Sequence, residues 1–273
     1  MDRSGSDLST LWILADQMER RVRPLNMSTR RLVSEVLPLR DVDATLRDQL
    51  FALMQHCYHC VTRARFELDL AEKDFLIVLR DAAGVPRGFS TQKLFCREWE
   101  GQSIQVLFSG DTVIEPAFWG SHELVRGWCR VAAMALRAEP MRRLFWFLIS
   151  KGYRTYLYLP LFFHDFEPHH ERSSAGETQC LLTALSQEKF GSAYDATTGI
   201  VRFPESLGQL TPEFAEVPDA RRDDPHVQFF LARNPGFSLG DELTCLAEVS
   251  PENLHGLGRR WLERAIHAIS PHD

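Results

Sequence analysis

The spacing of hydrophobic residues changes near residue 75 and divides the chain into a helical first part and a mixed second part. In the first part, apolar residues recur every three or four positions, which is the spacing of an amphipathic helix. We predict a helix at Leu8–Leu14, a second from an Asn26–Ser28 cap to about Val36, and a third capped by Asp41 or Asp43. The apolar face of the third consists of Leu46, Leu50, Met54, Cys57, Val61, Ala64 and Leu68.

From residue 75 onward, short apolar runs bounded by turn residues indicate β-strands. The predicted strands are Phe75–Leu79, Gly88–Phe95, Ser103–Phe108 and Leu144–Ile149. The first two are predicted to form a hairpin, and Ser109–Thr112 is predicted to be a polar turn after the third. Helical spacing returns at about Ser121 and continues to Ala138, where Pro140 ends it.

The last third of the chain gives a weaker pattern of alternating element types. We predict a helix at Thr178–Phe190, a strand at Ile200–Phe203, an acidic and proline-rich loop at Glu205–Asp224, paired strands at Val227–Leu231 and Leu243–Glu248, and a helix at Pro251–Ile269. No repeat or low-complexity linker interrupts the chain, so we expect one compact unit. In it, a helical section (residues 1–70) packs on a core (residues 71–273).

Charge and composition exclude several classes of protein. The net charge is −6 and the pI is near 5.9, which argues against a protein that binds nucleic acid. No apolar run approaches the roughly 18 residues that a membrane span needs. The first residues lack a basic segment followed by an apolar one, so we expect no secretion signal and a cytoplasmic location.

Two clusters of potential metal ligands are present. Cys57-Tyr58-His59-Cys60 has the C-x-x-C spacing, but no second ligand pair lies at zinc-site spacing. The segment His164–Glu171 is rich in histidine and acids, but its spacing matches no metal site and Pro168 prevents helical geometry. We interpret the first as part of a helix with reduced thiols and the second as a surface loop, and we expect no metal.

A polar turn that leads into a helix follows the third predicted strand. The first backbone N–H groups of a helix lack intrahelical partners and carry partial positive charge, so anions bind there. Gly120 lets a ligand approach the backbone, and Ser121 is placed to cap the helix. A phosphate or pyrophosphate at Trp119–Glu123 is one interpretation, and an ordinary serine-capped connection is the other.

The order of these elements resembles the GCN5-related N-acyltransferase (GNAT) fold over about Phe66–Phe166. In that family, acyl-CoA lies between two splayed strands and its pyrophosphate rests on the following helix. Gln105–Phe108 and Leu144–Ile149 correspond to the two strands, and Trp119–Leu124 corresponds to the pyrophosphate loop. The resemblance implies an α/β (α+β) protein with a mixed, mostly antiparallel sheet flanked by helices and preceded by a helical extension.

The resemblance also implies an activity and a set of site residues. It implies transfer of an acyl group from acyl-CoA, as co-substrate, to an amine of a small-molecule or peptide acceptor. Acid and base roles fall to Asp111, Glu115, Tyr156 and Tyr158. Contacts with the thioester fall to Leu107, Phe108, Trp119, Gly120, Ser121 and His122. Contacts with the acceptor fall to Ser109, Thr112, Lys151, Tyr153 and Arg154.

Several alternatives remain open at the level of sequence. His122 or Leu124 stands where the family's pyrophosphate loop has a small residue, so an acyl carrier protein is an alternative thioester donor. A non-catalytic protein that binds a small molecule or a partner through the same cleft is the alternative function. The tyrosines also fit a plain aromatic core. Pairing of sheet edges is one route to a homodimer.

Overall fold

The computed structural model describes residues 31–172, 176–203 and 208–269. Its β-strands are β1 (Val33–Pro38), β2 (Tyr58–His59), β3 (Phe75–Arg80), β4 (Pro86–Trp99), β5 (Gln102–Ile114), β6 (Leu144–Ser150), β7 (Tyr194–Asp195), β8 (Ile200–Val201), β9 (Gln209–Leu210) and β10 (Glu242–Glu248). Its α-helices are α1 (Ala44–Cys57), α2 (Arg63–Ala71), α3 (Glu123–Ala138), α4 (Tyr153–Tyr156), α5 (Tyr158–Phe162), α6 (Glu177–Phe190), α7 (Pro212–Ala215), α8 (Asp219–Arg222), α9 (Pro225–Arg233) and α10 (Gly256–Ala268). No helix within these ranges is long and apolar enough to cross a bilayer.

An eight-stranded sheet in the order β1-β3-β4-β5-β6-β10-β8-β7 organises the described residues. All neighbouring strands are antiparallel except β5 and β6, which pair in parallel. Helices α3 and α10 pack on one face, while α1, α2 and α6 cover the other. This arrangement confirms the predicted mixed, mostly antiparallel sheet flanked by helices, and the C-terminal strands complete it.

The prediction of helix up to Val36 is wrong, because Val33–Pro38 forms edge strand β1. The strand is stabilised by pairing with β3 and by hydrogen bonds between Ser34 and two residues of α3. The backbone N–H and hydroxyl of Ser34 donate to Glu123 Oε2 at 3.3 and 3.1 Å, and Arg130 Nη2 donates to the Ser34 carbonyl at 2.5 Å. The helices predicted before residue 31 lie outside the described residues, and the division at residue 70 stays a prediction.

The long third helix predicted from residue 43 is in fact two helices. Asp43 caps α1 as predicted, and its carboxylate accepts from Leu46 N at 2.7 Å. The chain then pairs Tyr58 with Leu210, and Cys60 adopts a left-handed φ of 59° before α2 begins. This break rotates the second helix, so Leu68 is 64% exposed instead of buried.

Three further predictions are corrected by the structure. Residues 109–112 are not a turn but continue β5, which extends to Ile114. The apolar run Val227–Leu231 is not a strand but lies in α9, because Asp224 accepts from His226 N at 2.9 Å and caps a helix with proline in its first turn. The predicted loop at residues 205–224 contains β9, α7 and α8 in its described part.

Candidate functional site

A β-bulge in β5 opens the sheet between β5 and β6. The two strands pair from Gln105 to Ser109 only, and the register between β4 and β5 shifts so that Gly110 and Asp111 together oppose Thr91. A bulge bends its strand and increases the local twist. A Cβ at Gly110 would lie 2.8 Å from Thr91 Oγ1, so this close approach requires glycine. The ends of β5 and β6 therefore diverge and leave a cleft.

An apolar pocket fills this cleft on the face of the sheet that carries α3. Its cavity volume is about 30 Å³, well below the usual size of small-molecule sites. Helix α3 contributes Leu124, Val125, Trp128 and Cys129, and Trp146 and Leu148 come from β6. Aromatic residues of α5 and the chain after it complete the wall. The pocket suits a narrow, mostly apolar group.

A chain of hydrogen bonds crosses the sheet side of the apolar pocket. Trp146 Nε1 donates to Ser109 Oγ at 2.8 Å, and Ser109 Oγ donates to Gln92 Oε1 at 2.7 Å. Gln92 Nε2 donates to Ser90 Oγ at 2.8 Å, and the hydroxyls of Ser90 and Thr112 share a hydrogen bond at 2.7 Å. This chain satisfies the polar groups that the apolar environment would otherwise penalise.

Replacement of Ser109 by alanine should destabilise the protein by about 1–3 kcal/mol, because it leaves Trp146 Nε1 and Gln92 Oε1 without partners. Chemical denaturation measures this change in the free energy of unfolding. Ser103 lies on the same strand without a side-chain hydrogen bond to any described residue, so Ser103→Ala should stay within about 0.5 kcal/mol of wild type. Equal effects of the two substitutions would contradict the importance of the chain.

A polar cavity lies on the opposite face of the sheet, under α2 and α6. It has a volume of about 190 Å³ and is lined by four acidic and four basic side chains. They are Asp69, Glu72, Asp111, Glu242, Arg65, Lys73, Lys151 and Lys189. The polar cavity and the apolar pocket lie back to back at the diverging strands and share Gly110, Thr112, Ile149 and Thr155 as lining residues.

Most charges in the polar cavity are paired. Lys151 Nζ lies 3.4 Å from Glu242 Oε1, and both side chains are nearly buried. Arg65 pairs with Asp69 at 2.8 Å, and Lys189 Nζ lies 3.8 Å from Glu72 Oε2. Among the described residues, none forms an ion pair or hydrogen bond with the Asp111 carboxylate. Burial raises the pKa of Asp111, although Lys73 acts in the opposite direction.

The predicted pyrophosphate loop lines a third cavity, which we call the loop cavity. Gly120 has a left-handed φ of 84°, and α3 begins after it with His122 as N-cap. Ser121 Oγ accepts from Glu123 N at 3.3 Å, so the serine contacts the first turn without occupying the cap position. The Arg154 guanidinium lies 3.8 Å from the centre of the Trp119 ring. Tyr153, Arg154 and Tyr158 face this loop across the loop cavity.

The structure separates the two tyrosines that the sequence proposed as acids. Tyr158 lines both the apolar pocket and the loop cavity, and burial raises the pKa of its phenol to about 12. Tyr156 is fully buried, and its hydroxyl donates to the Pro168 carbonyl at 3.0 Å. Tyr158 is therefore in the cleft, whereas Tyr156 is in the core.

The other predicted residues divide in the same way. The cleft or the polar cavity is lined by Ser109, Thr112 and Lys151. Leu107 and Phe108 are buried within the parallel pairing of β5 and β6. Glu115 instead forms an ion pair with Arg87 at 3.3 Å beyond the end of β5.

Sequence analysis missed most residues of the polar cavity, among them Tyr58, Lys73, Lys189 and Glu242. They come from β2, the end of α2, α6 and β10, which are far apart in the chain. Only the sheet order brings them together, and no local pattern marks them.

Comparisons with known proteins find only partial structural similarity. No family model matches the chain, and no curated protein matches it in sequence. A conserved protein of unknown function from Enterococcus faecalis, a probable N-acyltransferase, is 13% identical with a TM-score of 0.37, covering 50% of this chain and 33% of its own. The chain thus spans about a third of that protein.

Two other solved structures are similar to part of the chain. A GNAT family N-acetyltransferase from Escherichia coli in complex with CoA is 15% identical over 57% of this chain and 82% of its own, with a TM-score of 0.35. An AtaT mutant toxin bound to the AtaR antitoxin C-terminus and acetyl-CoA is 18% identical over 54% and 88%, with a TM-score of 0.34. The topology itself, with one splayed parallel pair in an antiparallel sheet, gives the chain its GNAT-like fold.

Proposed function

We propose that this protein is an N-acyltransferase that moves an acyl group from acyl-CoA to a primary amine. The observation that carries the proposal is the cleft between β5 and β6, whose residues line both the apolar pocket and the polar cavity. A thioester on one face and an amine on the other can meet there without either one crossing the sheet. Holding two reactants in line in this way removes much of the entropic barrier of a bimolecular reaction.

The donor side of the cleft provides an acid for the leaving group. We place the acyl chain and the narrow arm of the thioester in the apolar pocket, which must widen to admit them, and the diphosphate in the loop cavity at the N-terminus of α3. We assign its hydroxyl to the sulfur because Tyr158 lines both spaces. The phenol is protonated at neutral pH and donates its proton to the thiolate, although its pKa of about 12 makes it a weaker acid than an exposed tyrosine.

The acceptor side provides a base. We assign Asp111 to the amine because its carboxylate lies in the polar cavity without another partner among the described residues. Asp111 takes a proton from the ammonium group, and the free amine attacks the carbonyl carbon of the thioester. The C–N bond forms, the C–S bond breaks, and Tyr158 protonates the departing sulfur. The second amine proton leaves with solvent, so charge and atoms balance.

Placing a negative charge in the loop cavity should weaken binding of the donor. Gly120→Asp should lower the affinity for acetyl-CoA roughly tenfold or more, since two like charges near a protein surface repel by several kcal/mol at about 4 Å. Calorimetric titration with acetyl-CoA measures the effect. Gly120→Asn is the matched control, because asparagine has the same shape and tolerates the left-handed backbone equally well.

The two variants distinguish charge from backbone strain. Equal losses of affinity would mean that strain at position 120 is responsible and that no diphosphate lies nearby. Unchanged affinity in both would place the donor elsewhere on the protein. Affinity lost in the aspartate variant alone supports the loop cavity as the diphosphate site.

A further inference from the structure

Two opposite charges of the polar cavity have no direct ion pair. Lys73 is only 8% exposed, and its Nζ donates to the Asp69 carbonyl at 2.6 Å but forms no ion pair with a carboxylate of any described residue. The Asp111 carboxylate is also unpaired within the described ranges. The other six charged side chains of the cavity form three ion pairs with one another. Lys73 and Asp111 are therefore the charges that a bound molecule can neutralise.

Lys73 and Asp111 meet at the bulge in β5. A Cβ added to Gly110 would lie 2.9 Å from Lys73 Cε and 3.5 Å from Lys73 Nζ, and Asp111 is the next residue. Both charged side chains line the polar cavity at this point. The positive charge of Lys73 opposes the effect of burial on the pKa of Asp111, as expected for two charges that face the same space. A molecule that contacts both must carry a positive and a negative group close together.

A second ammonium group adds to the positive end of the cavity. The Nζ atoms of Lys73 and Lys189 lie 5.9 and 4.4 Å from the centre of the Phe108 ring. Burial and the neighbouring Lys73 lower the pKa of Lys189, whose ion-pair partner Glu72 lies 3.8 Å away and is 66% exposed. Two like charges beside one aromatic ring are costly to bury, and an anion bound between them removes that cost.

The charge balance and the size of the polar cavity favour a small zwitterion. Four acidic and four basic side chains cancel, so a simple ammonium ion would add an uncompensated charge to a partly enclosed space. A zwitterion adds no net charge. The volume of about 190 Å³ is below the roughly 300–1,000 Å³ of sites for drug-sized ligands, so a small molecule fits better than a large one.

We propose that the amine acceptor is a free amino acid, with its ammonium group on Asp111 and its carboxylate on Lys73. This inference rests on the proposed acyl transfer and narrows its acceptor from a primary amine to an amino acid. Each end of the ligand gains a charge-assisted hydrogen bond, and Lys189 attracts the carboxylate at longer range. Lys151, which the sequence assigned to the acceptor, is already neutralised by Glu242.

Calorimetric titration of the full-length wild-type protein with the standard amino acids, with and without free CoA, tests the site through binding alone. We expect at least one amino acid to bind with a stoichiometry of one. Its carboxamide lacks the negative charge, and its α-hydroxy acid lacks the ammonium group. Each analogue should bind roughly 10- to 100-fold more weakly, because it loses one hydrogen bond between charged groups. This comparison needs no variant, so it does not depend on the folding of one.

Lys73→Gln assigns the carboxylate to its partner. This variant should bind the amino acid roughly 10- to 100-fold more weakly and should no longer distinguish it from its carboxamide. Lys93→Gln is the matched control, because Lys93 pairs with Asp74 at 2.8 Å outside the polar cavity and should bind like wild type. The proposal is overturned if no amino acid binds, if the wild type binds amino acid and carboxamide equally, or if folded Lys73→Gln keeps the wild-type preference.

Acylation assays separate this inference from the proposed function. Equal rates of acylation for amino acids and for amines without a carboxylate would overturn the amino-acid site and leave acyl transfer intact. Amino-acid binding with the expected selectivity, but no amide product with any acyl-CoA, would leave the binding site intact and contradict acyl transfer.

Discussion

Asp111→Asn should lower kcat/KM for acyl transfer by about 10²- to 10⁴-fold, the usual contribution of a positioned acid or base. The amide keeps the shape of the carboxylate but cannot accept the proton of the ammonium group. Steady-state rates of CoA release with a primary amine measure the effect. A second sign of the base is an activity that rises with pH through a pKa above the usual aspartate range, because burial raises the pKa of Asp111.

The same substitution should make the protein more stable. A carboxyl whose folded pKa is raised contributes stability below its unfolded pKa and loses it as the pH rises through the folded pKa. At neutral pH the ionised Asp111 therefore destabilises the fold, and an uncharged amide removes that penalty. Chemical denaturation at pH 7 and at pH 4 should show the gain at pH 7 and a smaller one at pH 4.

Asp81→Asn is the matched control, and its expected change in stability has the opposite sign. Its hydrogen bond from Arg87 lowers the pKa of Asp81, so the ionised form stabilises the protein at neutral pH. This variant should lose stability and keep wild-type activity. An Asp111→Asn variant with full activity, or one that loses activity only by unfolding, would contradict the assignment of the base.

Phe147→Ala should lower the free energy of unfolding by about 3–5 kcal/mol, the range for removing a buried phenylalanine side chain. Phe147 is 1% exposed and pairs with Phe108 in the last part of the parallel ladder, with ring centres 5.3 Å apart. It also contacts Phe190 of α6 at 6.1 Å. The substitution leaves a cavity beneath the point where β5 and β6 diverge. Urea denaturation measures the loss.

Leu68→Ala gives the comparison for Phe147→Ala. The sequence places Leu68 on the apolar face of a long helix, whereas the structure exposes 64% of it. The change should therefore stay within about 0.5 kcal/mol of wild type. A large loss at Leu68 would mean that the helix before it continues past Cys57, and a small loss at Phe147 would contradict the packing at the hinge of the cleft.

Sequence patterns predicted the strands whose apolar residues face two packed layers. Phe75–Leu79 and Leu144–Ile149 are continuous apolar runs because both of their faces are buried. Val227–Leu231 is a mostly apolar segment of similar length, interrupted only by Gln228, yet it is helical. Periodicity does not distinguish a buried strand from a short apolar helix. The helix at Val227–Leu231 is instead determined by the Asp224 cap together with Pro225.

Only those residues of the candidate site that lie close together in the sequence could be predicted. Ser109, Asp111 and Thr112 were found because they follow one strong strand, and Gly120 because it precedes a helix. The bulge that opens the cleft was not predicted, since it depends on Thr91 and Lys73 packing against Gly110. The order of the strands in the sheet brings Glu242 and Lys189 to the polar cavity, and no local sequence pattern encodes that order.

The most direct test of the account is a transfer assay with acetyl-CoA and longer acyl-CoAs over a panel of primary amines, read by mass spectrometry. We expect at least one N-acyl product, formed with an equal amount of free CoA by the wild-type protein and at a hundredth of the rate or less by Asp111→Asn. Binding of acyl-CoA without any amide product would contradict the proposed activity and favour the non-catalytic binding role. Equal product from both proteins would contradict the role of Asp111.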